Sequence, residues 1–188
     1  MELLATTGDA FVRIGGHTRL QGSGAQCLAL DGDTVYVGCR GTGLKRSADG
    51  GDTFEEVPLP ERDVFSVAVS AADGAVYVGT EPSRLFRSGD GGESWEELVA
   101  LQEIPSRAEW SFPPRPWTSH VRWIAPSPHD REVVLVGIEL GGLMRTEDGG
   151  DSFSDHRPEA ARDVHCLAWH PSAEGRAYEA GQDRKSVV

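Results

Sequence analysis

Basic residues are scarce in this chain. Its 188 residues include 18 lysines and arginines against 30 aspartates and glutamates, which gives a formal net charge of −12 at pH 7. The basic residues are scattered along the chain instead of being gathered into a stripe. A protein that binds a phosphate backbone needs such a stripe to displace counterions. The sequence therefore predicts no nucleic acid partner.

The chain also has little that would direct it to a membrane or to an oxidising compartment. Residues 1–10 carry no basic cluster and no long apolar run, so we expect neither a signal peptide nor a membrane anchor. The three cysteines, Cys27, Cys39 and Cys166, have no C-x-x-C spacing and lie in or beside apolar patterns. We interpret them as buried, reduced thiols and not as a disulfide or a metal site. These features predict a cytoplasmic protein.

One short motif is present three times. Residues 47–54, 88–95 and 146–153 read SADGGDTF, SGDGGESW and TEDGGDSF. The first hydroxyl and the following carboxylate can accept hydrogen bonds from N–H groups of the same turn, and the second glycine permits positive φ. The final aromatic residue would anchor the turn in an apolar layer. We predict three tight turns, called here the repeat turns, whose structural residues are Ser47, Asp49, Gly51, Phe54, Ser88, Asp90, Gly92, Trp95, Thr146, Asp148, Gly150 and Phe153.

Two further patterns accompany the repeat turns. V-x-V-G begins at residues 35, 76 and 134, and L-x-R-[ST] begins at residues 44, 85 and 143. By both markers the second unit follows the first by 41 residues and the third follows the second by 58, so the excess of 17 residues is one insertion. An alternating apolar run precedes each V-x-V-G. Each unit therefore predicts four short strands, a pattern typical of a β-propeller blade.

The predicted fold class is all-β: a β-propeller of four-stranded antiparallel blades, with about four blades present of a ring of about six to eight. The first segment reads as the last three strands of a blade whose first strand is missing. One incomplete propeller domain would span residues 1–182, divided into a blade remnant (1–22), blades (23–61, 62–100 and 120–160), a rim insertion (101–119) and a partial blade (161–182).

Residues 183–188 do not match the repeat. They equal the in-frame translation of a common sequencing-library adapter, so we expect a non-native tail and a C-terminally truncated fragment. The native protein would then continue beyond residue 182 for about two to four more blades.

The consensus of the repeat turns, S-x-D-x-G-x-[ST]-[WF], resembles the Asp-box or BNR repeat. This repeat is found in sialidases, Vps10/sortilin propellers, xyloglucanases and photosystem II assembly factors. The resemblance implies a β-propeller in which the boxes are structural, and it leaves the activity open. Many of these relatives are secreted, whereas the N-terminus of this chain does not predict secretion.

We expect the binding surface on the rim opposite the repeat turns. Loops that enter the first strand of each propeller blade lie on the same rim as loops that join the second and third strands. The candidate rim residues in these loops are Arg40, Arg62, Asp63, Glu81, His120, Arg122, Glu139, Asp163 and His165. The insertion lies on the same side, and its Trp110 and Trp117 either stack on a sugar or peptide or pin the loop onto the propeller.

Two functions of different classes remain open. The first is a non-catalytic scaffold whose rim binds a protein or a small molecule, for example a carbohydrate. The second is a glycoside hydrolase, sialidase-like or xyloglucanase-like, with part of its active site in missing blades. The sialidase F-R-I-P motif is not present, and Tyr36, Tyr77 and Tyr178 fall inside strands, so none is placed as a nucleophile. Asp63 and Asp163 suggest a xyloglucanase pair by position only.

A third hypothesis is metal-assisted hydrolysis by His120, His165 and Glu139. His120 and His165 fall near equivalent positions of neighbouring blades, but no short-range ligand spacing supports a metal site. The sequence therefore predicts no metal ligand and no cofactor.

Overall fold

The computed structural model of the protein describes residues 3–111, 118–158, 160, 162–181 and, as backbone, 185–187. Within these residues the chain forms five antiparallel sheets, each following the chain in order. Short apolar runs separated by turns rich in glycine account for the strands. The first sheet, called the remnant, consists of β1 (Leu4–Thr6), β2 (Phe11–Arg13) and β3 (Thr18–Arg19).

The other four sheets are numbered as blades. Blade 1 contains β4 (Ala25–Asp31), β5 (Thr34–Cys39), β6 (Gly43–Ser47) and β7 (Glu55–Val57). Blade 2 contains β8 (Val64–Val69), β9 (Val76–Thr80), β10 (Leu85–Ser88) and β11 (Glu96–Glu97). Blade 3 contains β12 (Val121–Pro126), β13 (Val134–Ile138) and β14 (Gly142–Thr146). Blade 4 contains β15 (Val164–Trp169), β16 (Ala177–Gly181) and β17 (Lys185–Val187).

Successive blades meet through their first strands. β4 contacts β8, β8 contacts β12, and β12 contacts β15, while the second strand of each of blades 1 to 3 also contacts the first strand of the next blade. The blades are therefore arranged side by side with their first strands innermost, as in a partial propeller. The predicted fold class is confirmed.

The glycine of V-x-V-G allows this close approach of the blades. A Cβ added to the glycine would lie within 2.6 Å of the valine that begins the first strand of the next blade. Any larger residue would push the two blades apart, which explains why the pattern ends in glycine. The pairs are Gly38–Val64, Gly79–Val121 and Gly137–Val164.

The remnant has the register of the later strands of a blade. Arg13 in β2 donates to the carbonyl of Gly50 at 2.6 Å, and Arg46 in β6 donates in the same way to the carbonyl of Gly91 at 2.7 Å. The strand β2 therefore occupies the third-strand position of its sheet, because it contacts blade 1 in the same way as β6, the third strand of blade 1, contacts blade 2. At the other end of the chain, β17 pairs with β16, so residues 185–187 occupy a third-strand position.

The repeat turns are closed by their own side chains. In the second turn, Ser88 Oγ donates to Asp90 Oδ1 at 2.7 Å and accepts from the Gly92 N–H at 2.8 Å. The backbone N–H of Ser94 donates to Asp90 Oδ1 at 2.9 Å, and its hydroxyl donates to Asp90 Oδ2 at 2.5 Å. The same bonds recur in the other two turns. The second glycine of each turn has positive φ, as expected.

Hydrogen bonds within the turns stabilise the ionised carboxylates. The hydroxyl donors Ser94 and Ser152, followed by the N–H groups of the same residues, lower the pKa of Asp90 and of Asp148 to about 2. Thr53 lowers the pKa of Asp49 further still in the same way. Each carboxylate therefore remains charged while it closes its turn.

Blade 3 differs from the predicted four-stranded unit. After the third repeat turn the chain makes one isolated bridge, between Arg145 and Ser154, in place of a fourth strand. The carboxylate of the next residue, Asp155, accepts hydrogen bonds from the backbone N–H of Ser106 at 3.0 Å and from its hydroxyl at 2.6 Å. Because the insertion binds this segment, the segment leaves the edge of the sheet after a single pair.

All three cysteines are free thiols, but only Cys39 is buried, whereas Cys27 and Cys166 are half-buried as residues, so the predicted burial is confirmed for Cys39 alone. The thiol of Cys27 itself is enclosed, and this raises its pKa to about 12. The described helices are two short 3-10 segments of the insertion, Val99–Glu103 and Pro105–Glu109, and no described helix has the length and apolarity needed to cross a bilayer.

Candidate functional site

Two sets of loops lie side by side at one end of the blades. The backbone N–H of Glu81 donates to the carbonyl of Asp63 at 2.9 Å, and that of Glu139 donates to the carbonyl of His120 at 3.3 Å. Each bond joins the loop after a second strand to the segment before a first strand. The strands are antiparallel, so the repeat turns lie at the opposite end. We call the end that carries these loops the rim.

A β-bulge in each first strand places one side chain at the rim. The pairing register shifts after the first residue of β4, β8, β12 and β15, which leaves the second residue of each strand unpaired in the ladder. Bulges commonly re-aim a side chain beside a functional site. The four bulged residues are Gln26, Phe65, Arg122 and His165.

Glu81 forms the first junction between charged groups of different blades. Its Oε2 lies 3.8 Å from Arg40 Nη2 of blade 1 and 3.7 Å from His120 Nδ1 of blade 3. Its Oε1 accepts a hydrogen bond from the Thr118 hydroxyl at 2.8 Å. A carboxylate of blade 2 therefore links basic groups on both neighbouring blades.

His120 is the buried centre of the network. Its ring Nε2 lies 2.5 Å from Glu139 Oε2, and its side chain is only 3% exposed. The Phe65 ring stacks on the imidazole with centroids 4.0 Å apart, and the Arg40 guanidinium lies 5.2 Å from the centroid of the same Phe65 ring. Packing and two carboxylates thus fix the orientation of this imidazole.

Glu139 is held in its ionised form. The hydrogen bond with His120 is the main cause of a lowered pKa of Glu139, and the charges of His120, Arg122 and His165 lower it further. Burial acts in the opposite direction and does not prevail. Arg122 Nε lies 3.6 Å from the same carboxylate oxygen that meets His120. Such a carboxylate can accept hydrogen bonds or ligate a cation, but it is a poor proton donor at neutral pH.

The network continues to blade 4. His165 Nε2 lies 3.1 Å from Asp163 Oδ1, and one ligand atom each of Glu139, Asp163 and His165 lie within 4.8 Å of one another. The rim therefore carries an unbroken series of charged side chains over four blades.

A cavity opens beside this series, among the first strands. Its volume is about 480 Å³, and its lining includes Thr6, Gln26, Phe65, Arg122 and Trp123. Trp123 is 39% exposed, which is unusual for a tryptophan of an inner strand. The cavity lining thus combines an exposed aromatic side chain with Arg122, whose Nε lies 3.6 Å from the carboxylate of Glu139.

Other candidate residues lie outside this arrangement. Arg62 is exposed and pairs with Glu56 at 3.4 Å, whereas Asp63 contributes its backbone carbonyl to the loop structure.

Trp110 is 4% exposed and donates through Nε1 to Ser106 Oγ at 3.1 Å. It packs in the core with Leu98, Leu101, Ile104 and Ile138 of blades and insertion. Trp110 therefore pins the insertion and does not present a stacking face; Trp117 lies outside the described residues.

The structure corrects the equivalence of the two rim histidines. His120 precedes the first residue of β12, and the residue at the same position before β15 is Asp163. His165 follows the first residue of β15 and is equivalent to Arg122. His165, Glu139 and Asp163 come together, while His120 contacts Glu139 from the other side.

Sequence reasoning missed Phe65 and Trp123 at the site. Both lie in apolar runs that are typical of an ordinary strand interior. Alignment of the four first strands places Phe65 at the same position as Gln26, Arg122 and His165, and this alignment could have identified it. The sequence indicates Trp123 more weakly, because the only signal is a large aromatic residue in a first strand, which faces the propeller axis.

Comparison with solved structures finds the same fold. The extracellular domain of a putative hybrid two component system from B. thetaiotaomicron matches with TM-score 0.71 and 14% identity, over 99% of this chain and 27% of that chain. A GH74 xyloglucanase from Xanthomonas campestris matches with TM-score 0.65 and 19% identity, over 83% and 26%. YCF48 from Cyanidioschyzon merolae matches with TM-score 0.58 and 12% identity, over 84% and 48%.

These similarities show a β-propeller and no specific activity. The chain spans about a quarter of the length of the first two proteins and about half of the third. No protein-family model matches the sequence, and no curated protein is significantly similar to it.

Proposed function

We propose that the chain is part of an Asp-box β-propeller that acts as a binding scaffold, and that its rim binds a carbohydrate. The observation that carries this proposal is the exposed face of Trp123 beside Arg122, at a cavity of about 480 Å³. Pockets of this size suit small ligands. The apolar C–H faces of a sugar pack on an aromatic ring, and its hydroxyl groups donate to carboxylates.

The rim carboxylates support a polyhydroxylated ligand. Glu139 is ionised and retains an oxygen, Oε1, that is not the one facing His120 and Arg122. Asp163 lies next to it. The network that includes Glu81 and His120 holds these acceptors in place before a ligand arrives, which lowers the entropic cost of binding.

The test compares two aromatic residues of similar exposure, Trp123 at the cavity and Tyr178 away from it. Calorimetric titration of the protein with xyloglucan and β-glucan oligosaccharides should give saturable binding, and Trp123→Ala should weaken it about tenfold or more. Tyr178 in β16 is 40% exposed and lies outside the cavity lining, so Tyr178→Ala should leave the affinity unchanged. Equal losses in both variants, or no binding to any glycan tested, would overturn the proposal.

A glycoside hydrolase is the second candidate. Carboxylate oxygens of Glu139 and Asp163 lie within 4.8 Å of each other, so the two groups are no farther apart than the roughly 5 Å between the carboxyl groups of retaining glycosidases. A general acid, however, needs a raised pKa, and the pKa of Glu139 is lowered. Glu139 therefore does not suit the general acid, whereas an ionised carboxylate suits the nucleophile. Release of reducing sugar from xyloglucan that is abolished by Glu139→Gln would favour the hydrolase.

A further inference from the structure

Three metal-ligating side chains converge where blade 3 meets blade 4. Glu139 follows β13, and Asp163 and His165 lie on either side of the first residue of β15. Their ligand atoms lie within 4.8 Å of one another, although the two segments are far apart in the sequence. Glu139 and Asp163 are mostly buried, whereas His165 is 45% exposed and can rotate. The group therefore combines two fixed ligands with one adjustable ligand.

The chemistry of the three ligands indicates the class of cation. Ca²⁺ and Mg²⁺ favour sites made of oxygen ligands only. Two carboxylates with one imidazole suit zinc and neighbouring first-row ions, and three protein ligands leave a coordination position open. The two carboxylates bring two negative charges, and Arg122 brings one positive charge at 3.6 Å from Glu139. The local balance still favours a cation.

A second layer of residues orients Glu139. Nε2 of His120 meets Oε2 of Glu139, which leaves Oε1 available to a metal ion. Glu81 lies 3.7 Å from the other ring nitrogen of His120. Ligating carboxylates in metal proteins are commonly held by hydrogen bonds of this kind. His165 Nε2 lies 3.1 Å from Asp163 Oδ1, and this is the contact that a bound metal would replace.

We propose that Glu139, Asp163 and His165 bind one divalent transition-metal ion of the zinc class, with an open position facing the rim. Ligand atoms around tetrahedral zinc lie about 3.3 Å apart, so the group must contract. His165 Nε2 and Asp163 Oδ1 already lie 3.1 Å apart, so the contraction is between this pair and Glu139. The site stands on these three residues and does not depend on the identity of the rim ligand.

The test uses the metal alone. Calorimetric titration of the chelator-treated protein with ZnCl₂ should show one ion per chain, and CaCl₂ should bind far more weakly. His165→Ala and Asp163→Asn should each lower the zinc affinity at least tenfold, and His120→Ala should lower it about tenfold through Glu139. The matched control is His17→Ala, because His17 also faces a carboxylate, Asp52 at 3.4 Å, at a repeat turn. That variant should bind as the parent protein does.

A spectroscopic measurement separates this site from binding by thiols. Cys166 is adjacent to His165 in sequence, so Cys166→Ser is titrated in parallel and should bind zinc normally. Substitution with Co²⁺ should give the absorption of a site with oxygen and nitrogen ligands, without a thiolate charge-transfer band, and this readout is made on the parent protein, so it does not depend on the folding of any variant. Thiolate absorption, undiminished affinity in His165→Ala, or absence of zinc binding at millimolar concentration would each overturn the proposal. Glycan titrations in EDTA test the rim ligand separately.

Discussion

Gly79 lies directly beneath Val121 of the next blade, so close that a Cβ on Gly79 would be 2.5 Å from the Cβ of Val121. The branched side chain at Val121 is stiff and buried, and the Oγ of Ser66 would lie at 2.4 Å on the same side. Val121 Cβ cannot move without shifting its strand, and Ser66 Oγ can turn away only by giving up its hydrogen bond to the Val121 carbonyl. The spacing between blades is therefore set by the absence of one methyl group.

Gly79→Ala should consequently destabilise the protein. Overpacking of this kind costs about 1–3 kcal/mol, measured as a loss in the free energy of urea unfolding. The control is Gly89→Ala, because Gly89 is exposed and its nearest non-neighbouring atom is Arg87 Nη1 at 4.0 Å. This variant should change stability by less than about 0.5 kcal/mol. Equal effects of the two substitutions would contradict the blade-spacing argument.

The repeat turns should make stability depend on pH in the acid range. The pKa of Asp148 is about 2 in the folded protein, below its ordinary value, so the folded state binds fewer protons than the unfolded state between these two values. Stability contributed by Asp148 is present above the ordinary pKa and is lost as the pH falls toward 2. Asp148→Asn should flatten the decline of the urea midpoint between about pH 4 and pH 2.5. Asp151→Asn, an exposed position of the same turn, should leave the decline unchanged.

The pKa of Glu139 should depend on His120 more than on Arg122. The hydrogen bond with His120 is the largest cause of the lowered pKa, and the charge of Arg122 is a lesser one. A carboxyl ¹³C titration followed by NMR should show the Glu139 pKa below its ordinary value. His120→Gln should raise this pKa further than Arg122→Gln does. A larger effect of Arg122→Gln would place the main support of the carboxylate elsewhere.

Trp110 and Trp123 should respond differently to truncation. Trp110 is buried in the core of the insertion and bonded to Ser106, so Trp110→Ala should lower the free energy of unfolding by about 3–5 kcal/mol. Trp123 is 39% exposed, and Trp123→Ala should lower it by less than about 1 kcal/mol. Denaturation followed by circular dichroism measures both. A small loss for Trp110→Ala would contradict the conclusion that Trp110 pins the insertion onto the propeller.

Among the described residues, blade 3 lacks the fourth strand that its repeat turn predicts, because a contact distant in the sequence competes with strand pairing. The segment after Phe153 has the same motif in front of it as β7 and β11, and on that basis a strand was expected. The segment instead binds the insertion, because the hydroxyl of Ser106, 49 residues away, donates a hydrogen bond to the Asp155 carboxylate. A side chain that binds elsewhere competes with edge pairing, and no pattern within the segment reports this competition.

The sequence by itself determined the repeat turns and, through their spacing, the blades. Each turn is closed by bonds between residues no more than four positions apart, such as Ser88 with Gly92, so its geometry is written within eight consecutive residues. Only the tertiary structure decided which rim charges meet, because Glu81, His120 and Glu139 belong to different loops. Their contacts depend on the bulges and on the spacing of whole blades, which are set by pairing and packing between segments distant in the chain.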